Sequence, residues 1–303
     1  MPAFQYYTAD VFTSRRFGGN QLAVFPDASG IPESALQDIA REFNYSETTF
    51  VLPPRDARHT RQVRIFTPGG ELPFAGHPTV GTAFVLATMG AIPLTGAETK
   101  IVFEEKVGPV PVTIRSERGV PGFAQLSVAQ LPEYGPPAPP AADLERALGL
   151  QPGDVLSGDV GPEAVSCGVW FLFVPVRDRA TLGRARVKLD DFNALLASYV
   201  TQKVFLFCDE PELEGSHYRA RMFAPGIGVP EDPATGSACV SFGGYLARRD
   251  PRKDGLLRWV VEQGFEMGRP SLLEVEVDKS RGATTGVRVG GNSVLVMKGE
   301  FQL

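Results

Sequence analysis

His77 and Asp232 are polar side chains whose surroundings are written twice in this sequence. His77 lies in Gly76-His77-Pro78-Thr79-Val80-Gly81-Thr82-Ala83, and Asp232 in Glu231-Asp232-Pro233-Ala234-Thr235-Gly236-Ser237-Ala238. Each stretch follows an Arg-x-Phe-x-Pro-Gly run, Arg64-Ile65-Phe66-Thr67-Pro68-Gly69 in one case and Arg221-Met222-Phe223-Ala224-Pro225-Gly226 in the other. Two copies this far apart are not a solenoid. They predict two related domains, each presenting a helix start to a shared cleft, with His77 and Asp232 at matched places. Imidazole handles protons near neutral pH. A carboxylate ahead of a helix caps it, points into the cleft, or does both. A repeated scaffold with different chemistry at matched places is the pattern of an active site.

The helix starts themselves can bind. Unbonded N–H groups and the positive end of the backbone dipole collect there, and a glycine in the first turn lets an anion approach the backbone. Gly81-Thr82 and Gly236-Ser237 fit that description and predict a pocket for a small carboxylate, with ordinary capping as the alternative. Glu47 lies in Ser46-Glu47-Thr48-Thr49-Phe50, just before an apolar run. A carboxyl group at the mouth of such a strand is either exposed or partly buried, and partial burial makes it a usable acid or base. Asn20 follows Gly18-Gly19, as a turn residue or as a second group at the same mouth.

These residues need elements to hold them. Phe4 to Phe12 and Gln21 to Phe25 read as strands, and Pro32-Glu33-Ser34 opens an amphipathic helix with Leu36, Ile39 and Phe43 on one face. Thr48 to Leu52 and Val63 to Phe66 read as strands. Pro78 is a good first helical residue, and Pro78 to Met89 is apolar all round, the mark of a buried helix. Strands follow at Lys100 to Glu105, Val110 to Ser116 and Phe123 to Val128. The proline-rich stretch Leu131 to Pro140 is a linker. A second unit repeats the order, with a short helix from Asp143, strands at Val169 to Val176, Lys203 to Cys208 and Tyr218 to Phe223, and a helix at Leu189 to Tyr199. A small-residue helix runs from Pro233 to Arg248. Strands at Leu257 to Glu262, Leu272 to Val277, Gly286 to Val289 and Val294 to Phe301 close the chain. The expected architecture is α+β, with two pseudo-symmetric domains, each a curled mixed sheet around a buried helix. The first domain covers 1–130, completed by 285–303, and the second 131–284.

The chain of 303 residues is long enough for two cores, and 43% hydrophobic with 21% charged residues describes a globular protein. A net charge of −5 with mixed signs offers no basic face for nucleic acid. Cys167, Cys208 and Cys239 form neither zinc spacing nor a disulfide framework and read as buried, reduced thiols. No metal site is expected from three histidines. No signal peptide or membrane-length apolar run is visible, so a soluble, cytoplasmic protein without a membrane partner is expected. GxGxxG after a strand, GxxxxGK[ST], GxSxG and HExxH are all missing, which leaves no sign of a dinucleotide, a P-loop phosphate or a serine or zinc hydrolase.

Several of these motifs, in this order, resemble the phenazine-biosynthesis PhzF-like family, whose fold is that of diaminopimelate epimerase. The resemblance spans essentially the whole chain. It rests on Asp10-Val11-Phe12-Thr13, Phe17-Gly18-Gly19-Asn20-Gln21-Leu22-Ala23-Val24, Ser46-Glu47-Thr48-Thr49-Phe50, the run from Arg64 through Ala83, and Glu231 to Ala238. It implies a cofactor-independent isomerase, a homodimer, and a site between two domains. It implies further that Glu47 is the general acid/base, that His77 and Asp232 line the site, and that Gly76 and Ser237 bind substrate. The related epimerases carry paired cysteines at their two central helix starts. Here those places read Ala75-Gly76-His77 and Asp232-Pro233-Ala234, and Cys239 is no substitute. The expected chemistry is proton relocation on a small unsaturated carboxylic acid. A thiol-independent amino-acid epimerase or racemase, or a small-acid-binding protein without activity, are the alternatives.

Overall fold

The computed structural model describes residues 2–303. The chain divides into two compact units, the first made of 1–127 with 290–303 and the second of 128–289.

The first unit contains strands β1 (Ala3–Val11), β2 (Asn20–Phe25), β3 (Glu47–Leu52), β4 (Arg61–Thr67), β5 (Gly70–Leu72), β6 (Glu98–Glu105), β7 (Gly108–Glu117) and β8 (Val120–Ser127), with helices α1 (Glu33–Phe43) and α2 (Gly76–Thr88). β1–β2, β3–β4, β6–β7 and β7–β8 pair antiparallel, whereas β2–β3 and β4–β6 pair parallel. The second unit contains β9 (Glu133–Tyr134), α3 (Ala141–Ala147), β10 (Glu163–Ser166), β11 (Trp170–Pro175), α4 (Arg179–Arg184), α5 (Leu189–Leu196), β12 (Val204–Cys208), β13 (Tyr218–Ala224), β14 (Val229–Asp232), α6 (Gly236–Arg249), β15 (Gly255–Gln263) and β16 (Ser271–Ser280). Its pairings run in the same alternation: β10–β11 antiparallel, β11–β12 parallel, β12–β13 antiparallel, β13–β15 parallel, β15–β16 antiparallel. Each parallel pair needs a crossover. α1 supplies it between β2 and β3, and α4 with α5 between β11 and β12.

The last strand, β17 (Ala283–Gln302), contributes residues to both units. In the first unit it pairs with β1 and with β8, closing β1, β2, β3, β4, β6, β7, β8 and β17 into a barrel without an open edge. Two separate strands are expected here, broken near Gly290-Gly291. The structure has one continuous strand, because Gly290 lets β8 come close: a Cβ there would meet Ala124 O and the Phe123 ring at 2.7 Å.

Both central helices are covered all round. In α2 every residue from Gly76 to Ala87 is buried, and each fully buried Val, Leu or Phe contributes about 1.5–3 kcal/mol. In α6 Phe242 stands among Phe173, Phe205, Phe207, Tyr218 and Tyr245, with ring centroids 4.6–5.9 Å away. The helix boundaries differ from expectation. α2 starts at Gly76, which puts Pro78 third in the helix, still inside the turn whose N–H groups have no intrahelical partner. α6 starts at Gly236, three residues after Pro233.

Candidate active site

A turn that only glycine tolerates sets up the first half of the site. Gly19 has φ +60°, and a Cβ there would meet Val11 O at 2.3 Å. The turn delivers Asn20 as the first residue of β2, opposite Val11. Leu22 of β2 pairs with Glu47, the first residue of the parallel β3. His77 is the second residue of α2, whose first turn therefore ends beside these two strand starts.

The three side chains form a row. Asn20 Nδ2 lies 3.2 Å from His77 Nδ1, and His77 Nε2 lies 3.2 Å from Glu47 Oε2. The Glu47 side chain keeps 15% of its surface exposed and the His77 side chain 5%. Burial pushes the His77 pKa down to about 3, opposed only in part by a backbone hydrogen bond with Gln21. The contact with Glu47 is thus made by a neutral ring and is not an ion pair. The Asn20 amide sits against Nδ1, and Nε2 faces Glu47. A neutral ring packed against a partly exposed carboxyl group can orient that group for proton transfer.

Asn20→Ala removes the hydrogen-bond partner of a buried ring nitrogen. The expected cost is about 1–3 kcal/mol of stability in denaturant unfolding. The His77 ring 15N shifts are expected to change, Nδ1 most, since that nitrogen loses its 3.2 Å neighbour.

In the second unit Asp232 ends β14 and is buried. Thr235 precedes α6 and donates through Oγ1 to Asp232 Oδ2 at 2.5 Å. Gln263, at the end of β15, holds this turn. Its Nε2 donates to Asp232 O at 2.8 Å and to Thr235 Oγ1 at 3.0 Å, and its Oε1 accepts from Thr235 N at 3.0 Å. Gly236 opens the helix, and Ser237 is the partly exposed residue of its first turn. Gln263 was not readable as a site residue from motifs. Its signal is periodicity, since Leu257, Trp259, Val261 and Gln263 share the inward face of β15.

The expected matching of His77 with Asp232 is corrected by the structure. Arg64 Nε donates to Glu71 Oε1 at 2.8 Å, and Arg221 Nε to Glu231 Oε1 at 2.8 Å. The two guanidinium groups lie over Phe66 and Phe223, at 5.1 and 4.8 Å from the ring centroids. These equivalent bridges set Glu71 against Glu231, Pro73 against Pro233 and Gly76 against Gly236. His77 then corresponds to Ser237, and Asp232 to Leu72. The second copy has the longer loop between its paired strands, so Pro233 aligns with Pro73 and not with Pro78.

Gly81 and Thr82 do not border a helix start. Thr82 Oγ1 bonds Thr49 Oγ1 at 2.8 Å in the core, and a Cβ at Gly81 would strike Val11 and Leu22 side chains at 2.5 and 2.6 Å. They pack α2 against β1, β2 and β3. The second helix start reads Thr235-Gly236-Ser237, not Asp232-Pro233-Ala234, and carries no thiol either. Cys167, Cys208 and Cys239 are buried. Burial pushes the Cys167 pKa to about 12 and the Cys208 pKa to about 11. Among the described residues no group of His, Cys, Asp and Glu is arranged to hold a metal ion, and no helix is long and apolar enough to cross a membrane.

Residues 9–299 match the family model described as phenazine biosynthesis-like protein. The chain belongs to the PhzF-like family. It is 38% identical, over 99% of both chains, to an uncharacterized isomerase of Mesorhizobium japonicum. It is 34% identical, again over 99% of both, to the trans-2,3-dihydro-3-hydroxyanthranilate isomerase of Pseudomonas aeruginosa. The crystal structure of a PhzF-family phenazine biosynthesis protein from Bacillus anthracis superposes with a TM-score of 0.89 at 27% identity, covering 100% of each chain. A hydroxyproline epimerase from Agrobacterium vitis shares the fold, with a TM-score of 0.64 at 14% identity. This PhzF-like chain is an isomerase, with the two curled sheets around central helices that its sequence predicts.

Proposed function

We propose that the enzyme moves a proton, and with it a double bond, on a small unsaturated carboxylic acid, with Glu47 as the general acid/base. The observation that carries this reading is the row Asn20–His77–Glu47, a single partly exposed carboxyl group oriented by a neutral buried imidazole. Glu47 takes a proton from a carbon activated by conjugation. The electron pair left behind shifts along the π-system, and the carboxyl group returns a proton at its far end. The substrate carboxylate rests on the first-turn N–H groups at Gly76 and His77, where the helix dipole favours negative charge. Asp232, Thr235, Gly236 and Ser237 are proposed as the substrate-binding residues of the second unit. A family relative acts on trans-2,3-dihydro-3-hydroxyanthranilate, a cyclic, unsaturated amino acid of the proposed class, and it is the first compound to test.

The test is turnover in deuterated water, followed by NMR, on that compound and on a panel of unsaturated cyclic and acyclic acids. The expected result is migration of one double bond with one deuteron entering at the carbon that gains hydrogen. Deuterium entering next to the carboxylate with no double-bond movement would instead identify an epimerase. Binding without turnover across the panel would identify a binding protein.

A further inference from the structure

A second carboxyl group stands at the foot of α2, and its hydrogen bonds fix its protonation. Glu105 ends β6 on the strand's inward face, after Thr99, Ile101 and Phe103. Its side chain is buried, and among the described residues Oε2 has no hydrogen-bond partner. Oε1 lies 2.5 Å from Thr79 Oγ1, and the same Oγ1 lies 2.7 Å from the Ala75 carbonyl oxygen. A hydroxyl has one proton to give. If that proton goes to Ala75 O, the short contact to Glu105 needs a proton from the carboxyl side. If it goes to Glu105, the Ala75 carbonyl faces a lone pair.

The second unit has an amide at the matching strand position, bonded to a different threonine, since Thr235 corresponds to Ala75 and Thr79 to Cys239. The end of β15 corresponds to the end of β6, since Tyr218 pairs with Val261 as Arg61 pairs with Phe103. Gln263 therefore occupies the place of Glu105. Its Nε2 donates to Thr235 Oγ1, which leaves the Thr235 proton for Asp232. An amide always has that donor. A carboxyl group has it only when protonated.

We propose that Glu105 is a neutral carboxylic acid in the working protein, donating to Thr79 and so pinning the first turn of α2 that carries His77. Glu105 is a positioning residue, and its relevance to turnover rests on the reading given above for Glu47. Its surroundings agree. Burial pushes its pKa up to about 8, with the Thr79 bond opposing only in part. Among the described residues no cation is paired with it. On α2 the nearest titratable group is the neutral His77. Lys106 reaches away to Glu71 on β5 at 3.5 Å. Glu104 points the other way, to His59 at 2.8 Å. Arg64 on β4 is taken by Glu71.

The sign of the pH effect follows. The folded pKa lies above the unfolded value of 4.5. The stabilisation is complete below that value and is lost as pH rises toward about 8. Glu105→Gln supplies a donor that does not titrate. Relative to this variant, the wild-type unfolding constant should rise about tenfold per pH unit across that window, read from chemical unfolding at several pH values. Glu105→Leu should lose stability at every pH, and the Gln variant should rescue it. Infrared difference spectra of wild type minus Glu105→Gln at pH 7 should show the carbonyl stretch of a buried neutral carboxylic acid. None of these readouts uses turnover, so they stand or fall apart from the role of Glu47. A wild type and Gln variant with parallel pH dependence would overturn the proposal. So would a carboxylate band at pH 7, even if the variants fail to fold.

Discussion

Glu47→Gln is expected to give a folded protein that binds substrate and does not turn it over. The amide keeps the shape of the side chain and its place beside His77 Nε2, so the start of β3 and the neighbouring ring stay in place. What is lost is the group that takes and returns the proton. A positioned acid/base contributes about a hundred- to ten-thousand-fold in rate, and kcat should fall by that factor with little change in ligand affinity. Steady-state kinetics on a confirmed substrate, with calorimetric binding and circular dichroism, make the check. A variant within tenfold of wild-type kcat would remove Glu47 from the mechanism.

Phe242→Ala is expected to have the largest effect on stability. The ring is fully buried in the middle of α6, 4.6 Å from Phe207, 5.2 Å from Tyr218, 5.3 Å from Phe205 and 5.5 Å from Phe173. Those partners come from strands β11, β12 and β13, so the cavity cannot close by moving one neighbour. Phe→Ala at such a site costs about 3–5 kcal/mol. The denaturation midpoint should fall accordingly, with the slope unchanged. A loss below about 1 kcal/mol would show that the aromatic cluster repacks freely.

The sequence made the central helices and most strands readable for a plain physical reason. α2 is apolar on every side, and only a helix enclosed by a sheet can bury that. Glu47 was different. A carboxyl group at a strand mouth has two fates by pattern alone, and the Ser-Glu-Thr-Thr-Phe motif singled it out through family resemblance. Asn20 was readable only as a turn residue or as a second group at the same mouth, because its contact with His77 joins residues 57 apart in sequence. The pairing of His77 with Asp232 fails because the first half offers two prolines, Pro73 and Pro78, for Pro233 to align with, and sequence spacing does not declare which. The ion pairs Arg64–Glu71 and Arg221–Glu231 decide the register, and those depend on three-dimensional reach. Glu105 and Gln263 sat in plain view on the inward phase of their strands. Their partners, a threonine hydroxyl at a helix start in each case, could not be inferred from either strand.

β17 has a consequence for how the protein is born. The seven other staves of the first barrel lie within residues 3–127, and the eighth arrives with 290–302. While the ribosome is making everything in between, β1 and β8 expose backbone groups that only β17 satisfies. Unprotected edges of this kind invite pairing with other chains. The amino-terminal half is thus synthesised first and finished last, and the nascent chain needs shelter or speed over more than half its length.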